Sequence, residues 1–72
     1  MPFEVHYGDG EMSLCKNSKE AVQKILECHA AGGDVDEVFE VNDAGQRIAE
    51  YGVEWDVKIF PQHFYNPDEN TQ

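Results

Sequence analysis

Positive charge is scarce in this chain. Five lysines and arginines face fifteen aspartates and glutamates, for a net charge of −10 at pH 7. Such a surface repels phosphate backbones and anionic lipids. That argues against direct binding to nucleic acid or membrane and favours a basic partner. Long apolar runs are also missing, and no window approaches the roughly 20 residues that cross a bilayer. The opening "MPFEVHYGDG" has no basic stretch followed by an apolar one, so it does not read as a signal peptide. The expectation is an intracellular, cytoplasmic protein. Cysteine is limited to Cys15 and Cys28. Two are too few for a disulfide framework and suit free thiols in a reducing compartment. A single Cys15–Cys28 bridge stays open, because geometry alone decides it.

The motifs of chemistry are absent as well. "GDG" at residues 8–10 lacks the Lys and the following Ser or Thr of a phosphate loop, and it joins two strands. His6, His29, His63, Cys15 and Cys28 show none of the short paired spacings of zinc sites. Cys28 reads instead as a small buried apolar residue, and His29 as a helix-end residue favoured by the dipole. Ser13 and Ser18 lie in a strand and at a helix cap, without the base and orienting group that nucleophilic catalysis needs. Carboxylate pairs such as Glu54 and Asp56 arise by chance among fifteen acids. No catalytic residue, metal or cofactor is therefore assigned, and the chain is read as a non-enzyme.

Seventy-two residues make one domain. A chain of this size buries only about 60% of its unfolded surface, so its core is small. There is no repeat and no low-complexity tract. "FEVHY" alternates, with Phe3, Val5 and Tyr7 on one face, and the glycines of "GDG" permit a tight turn. "EMSLCK" alternates again, with Met12 and Leu14 expected inward, so the two runs make a hairpin. "NSKEAVQKILECHAAGG" reads as a helix capped by Asn17 or Ser18, with Glu20 placed as in a capping box. Val22, Ile25, Leu26 and His29 mark its buried stripe, widened by Ala21 and Cys28. Gly32 and Gly33 stop it.

In the strand that follows, Val35, Phe39 and Val41 are expected to face the helix, with Asp36 and Glu40 facing water. "NDAGQ" is a turn. Residues 47–60 read as one bent strand or as two joined at Gly52. Val53, Trp55, Val57 and Ile59 lie on one face there, and Pro61 ends the pattern. "HFY" at 63–65 packs back on the body. The domain is assigned to residues 1–66 and a polar, frayed tail to 67–72. The fold class is α+β: two layers, one helix on an antiparallel sheet of four to five strands, in ββαββ order.

What the chain does have is acid, most of it concentrated after the helix. Asp34, Asp36, Glu37, Glu40, Asp43, Glu50, Glu54 and Asp56 are accompanied by a single base, Arg47. Charge runs commonly serve only solubility and protect sheet edges. Spacing adds a sharper reading. Carboxylates at i and i+2 on a strand stand about 7 Å apart, close to the separation of neighbouring phosphates on one nucleic-acid strand. Glu54 with Asp56 at this spacing, and Asp36 with Glu40 at twice it, are expected to present such rows to a groove lined with lysine and arginine. Val38 and Tyr51 would add close contacts.

The eight acids are thus the candidate partner-binding residues. The partner is a basic protein surface, in particular that of a nucleic-acid-binding protein. Phage-encoded inhibitors of host defence, anti-CRISPR proteins among them, share this profile of size, charge and element order. No residue motif carries that likeness, and no functional residue is transferred from it. The alternative is an assembly module, for example a homodimer, in which the acids only aid solubility.

Overall fold

The computed structural model describes residues 2–54 and 58–65. Its elements are β1 (Phe3–Tyr7), β2 (Met12–Cys15), α1 (Ser18–Ala30), β3 (Val35–Val41), β4 (Arg47–Val53) and β5 (Ile59–Phe64). The α+β class holds, with one helix and one antiparallel sheet among the described residues. The order runs ββαβββ, one strand longer at the C-terminal end than the shorter expected version. Residues 47–60 divide into two strands, and the division falls after Val53 rather than at Gly52. Pro61 does not end the pattern but lies inside β5. Trp55, Val57 and the 67–72 tail fall outside the described residues.

The sheet order is β2-β1-β3-β4-β5, with every neighbouring pair antiparallel. Because β2 and β3 both flank β1, the helix that joins them must cross over β1. It packs on β1, β2 and β3. The β4–β5 hairpin extends the sheet beyond the helix.

Local chemistry explains both helix ends. Asn17 is the N-cap, and its Oδ1 accepts the Glu20 amide at 2.9 Å, satisfying one of the unpaired donors of the first turn. At the other end Gly32 takes φ +81°. The Gly33 amide donates to the Cys28 carbonyl at 2.9 Å and the Gly32 amide to the His29 carbonyl at 3.0 Å. That pair of bonds is a Schellman cap, and its left-handed residue is the reason for a glycine. The buried stripe is rotated from the expected one. Ala21 and Ile25 are fully buried, Leu26 is half-exposed and His29 is exposed.

The core cluster joins Ala21 and Ile25 to Phe3, Val5, Cys15 and Val38, with Tyr7, Val35, Tyr51, Val53 and Ile59 packed around it. Two inward assignments are corrected. In β2, Cys15 is buried and Met12 and Leu14 are exposed, because Cys15 pairs with Phe3 and Ser13 with Val5. In β3, Val38 is fully buried in the helix-side core and pairs with Val5, while Phe39 pairs with Glu4 on the opposite face. Glu40 pairs with Phe3 and so lies on the helix side of the sheet, half-buried.

Candidate partner-binding site

The antiparallel registers gather acids at one end of the molecule. β1 ends at Tyr7 opposite Val35, so the Gly8–Gly10 turn, the start of β3 and the C-terminus of α1 meet there. The Gly8 amide donates to the Asp34 carbonyl at 2.9 Å, which ties the turn to the β3 entry. A groove of about 600 Å³ runs between them, lined by Asp9, Glu11, Glu27 and Asp34 together with Tyr7, Ser13, Lys24 and Cys28. The Tyr7 hydroxyl donates to Ser13 Oγ at 2.8 Å. Asp9 Oδ1 accepts the Glu11 amide at 3.0 Å, fixing the turn.

Among the described residues Lys24 is the groove's only basic lining residue, and its Nζ lies 3.5 Å from Glu27 Oε2. That exposed pair contributes little to stability and neutralises only part of the rim. The helix C-terminus adds a partial negative charge of about half an electron at the same end. Asp36 and Glu37 follow Asp34 after Val35. Glu54 lies just past the end of β4 and lines a smaller hollow of about 180 Å³ with His29, Val35 and Val53.

Of the eight acids singled out from sequence, Asp34, Asp36, Glu37 and Glu54 therefore lie at this end. Glu37, paired with His6, turns to the sheet face away from the helix, where its charge and that of Glu50 both act on Tyr65; Glu40 and Asp43 do not join the groove. Asp36 is an extra residue in a β-bulge, because His6 pairs with Glu37 but Tyr7 with Val35. It makes no regular row with Glu40, which accepts the Tyr51 hydroxyl at 2.9 Å on the helix side. Burial first, and then the bond to Glu40 and its charge, push the Tyr51 hydroxyl pKa up. Asp43 sits in the β3–β4 turn at the far end. Glu50 is half-buried and accepts the Tyr65 hydroxyl at 3.3 Å. Asp56 falls outside the described residues. Asp9, Glu11 and Glu27 were missed. Asp9 and Glu11 are remote in sequence from the acidic run, and the β1–β3 pairing brings them beside it; Glu27 lies on α1, and the helix C-cap turns the chain back from it toward Asp34.

The face of the sheet away from the helix carries a second cluster. Phe39 is 4% exposed there, under the Arg47 guanidinium at 4.0 Å from its ring centre and beside the His6 ring at 5.5 Å. Glu4 accepts from His6 at 3.0 Å and from Arg47 at 3.3 Å. Burial alone would raise the Glu4 pKa. The two hydrogen bonds and the charges behind them outweigh it and hold the carboxyl below its usual value. Arg47, the single base of the acidic run, is engaged here.

Cys15 and Cys28 are both free thiols. Burial, and after it the charge of Glu20, raise the Cys15 pKa against the opposing effect of Lys24. Among the described residues, no group of three or more His, Cys, Asp or Glu side chains could hold a metal. Nor is any described helix long and apolar enough to cross a membrane. Compared with protein-family models, curated proteins and solved structures, the chain gives no match.

Proposed function

We infer that this chain is a non-enzymatic acidic binding protein that docks its charged end on a basic protein surface and blocks it. One observation carries the reading: Asp9, Glu11, Glu27 and Asp34 line a single groove whose only base among the described residues is Lys24. Asp36, Glu37 and Glu54 extend the field along the same end. A lysine or arginine side chain of a partner matches such a groove in charge. Complementary potentials would speed the encounter and exclude acidic competitors, while close contacts set the affinity. A nucleic-acid-binding site is the natural target, since its surface is already shaped to hold a row of anions. Inhibition of a nuclease or defence complex, as by proteins that phages encode, is the finer form of this proposal. It rests on size and charge.

The test is capture of basic proteins from a host lysate at low and high salt, followed by titration with an oligo-arginine peptide. Binding should weaken roughly tenfold or more at high salt. Reversal of Asp9, Glu11, Asp34 and Asp36 to lysine should abolish it, and Asp43→Lys at the far end should spare it. Binding that ignores salt, or that falls equally with Asp43→Lys, would overturn the proposal.

A further inference from the structure

The two edges of the sheet are built differently. β5 carries Pro61, which has no amide donor, and its pairing with β4 is irregular beside it. Both features blunt an edge against further pairing. β2 has neither. Its four residues, Met12–Cys15, include no proline and no charge, and its register with β1 is regular. Met12 is 49% exposed and Leu14 65%.

The direction of the free backbone groups follows from the hairpin. The Tyr7 amide donates to the Glu11 carbonyl at 2.9 Å. Residues of β2 that bond to β1 alternate in an antiparallel ladder, so Glu11, Ser13 and Cys15 point to β1. The N–H and C=O groups of Met12 and Leu14 point out.

We propose that β2 is a homodimer edge, pairing antiparallel with β2 of a second copy about a two-fold axis at Ser13. That register sets Met12 of each copy opposite Leu14 of the other. The outward amides and carbonyls close four new hydrogen bonds. Both apolar pairs lie on the face away from the helices, where directly opposite side chains stand about 5 Å apart.

Charge selects this occupant. The stretch from Glu11 to Lys16 reads acid, four uncharged residues, base. Antiparallel self-pairing brings the Glu11 end of each copy to the Lys16 end of the other. Three of the five bases, Lys16, Lys19 and Lys24, belong to β2's C-terminal flank and to the helix that follows. The two acidic ends are sent to opposite extremes of the dimer, which keeps like charge apart despite −10 on each chain. The proposal stands independently of what the acidic end binds.

Sedimentation over a concentration series should show the mass rising toward twice 8.2 kDa. Amide exchange at Met12 and Leu14 should slow as concentration rises, while exchange at Ser13 and Cys15 stays slow throughout. Leu14→Pro removes an outward donor without touching the β1 ladder and should leave a monomer with an unchanged helix signal. Lys16→Glu should weaken association about tenfold or more, and adding Glu11→Lys should restore it. The charge swap decides the matter if Leu14→Pro impairs folding. A chain that stays monomeric throughout would overturn the assignment. So would a dimer unmoved by the swap, or protection of Met12 and Leu14 that comes only with an added foreign peptide.

Discussion

Phe39 is buried on the face away from α1, and the described neighbours there shield it from water. The Arg47 guanidinium lies over the ring, where the cation meets the negative π-face. Glu4 holds that guanidinium in place and is itself held by His6. The sign of the pH effect follows from the direction of the shift. The Glu4 carboxyl in the fold lies below its unfolded value of about 4.3. Its contribution is thus fully present above that value and lost as pH falls through the lower folded one. Glu4→Gln should lower the urea midpoint at neutral pH, and the gap from the parent chain should narrow as the pH is taken below the unfolded carboxyl value. A gap that persisted unchanged through that window would mean the carboxylate charge is not what holds Arg47 over Phe39.

At the scale of elements, hairpin register shows what sequence can and cannot reveal. The alternation of Phe3, Val5 and Tyr7 was legible, and so was the helix with its Asn17 cap and glycine stop. The inward side of β2 was not, because it depends on turn length. A two-residue loop after Tyr7 would set Met12 opposite Val5 and Leu14 opposite Phe3. The observed loop holds three residues, Gly8, Asp9 and Gly10, with Gly10 at φ +91°. That one extra residue turns Ser13 and Cys15 inward and leaves Met12 and Leu14 outside. The bulge at Asp36 likewise shifts the phase of β3. Val35 and Val38 then share the core side, and Phe39 is carried across with Glu37.

A reader of apolar patterns has no signal for either feature, since the energy that selects them comes from pairing across the sheet. The same limit hid Asp9 and Glu11 from the acidic site. Local rules do bind at the helix start. Asn17→Ala removes the acceptor of the Glu20 amide and should cost about 1 kcal/mol. For a domain of this length that lowers the thermal midpoint by about 4–8 °C. Asn17→Asp should keep most of that stability.

For the whole molecule, charge opposes the compact state. With −10 on a small body, like charges repel most where they are densest, and salt screens that repulsion with a length of about 10 Å at 0.1 M. The fold should therefore gain thermal stability as salt is added. It should also gain as pH falls from neutrality toward the isoelectric point near 4.4, until loss of the Glu4 interaction reverses the trend. If the acids at the helix C-terminal end serve binding rather than folding, that end should carry more than its share of the strain. Asp9→Asn, Glu11→Gln and Asp34→Asn together keep side-chain size, and the first of these keeps an acceptor for the Glu11 backbone amide. The triple variant should melt a few degrees higher than the parent at low salt. The gain should shrink at high salt, and Asp43→Asn at the opposite end should give less per charge removed. Equal gains at both ends, or a gain indifferent to salt, would show the acids acting as a uniform coat instead of a concentrated field.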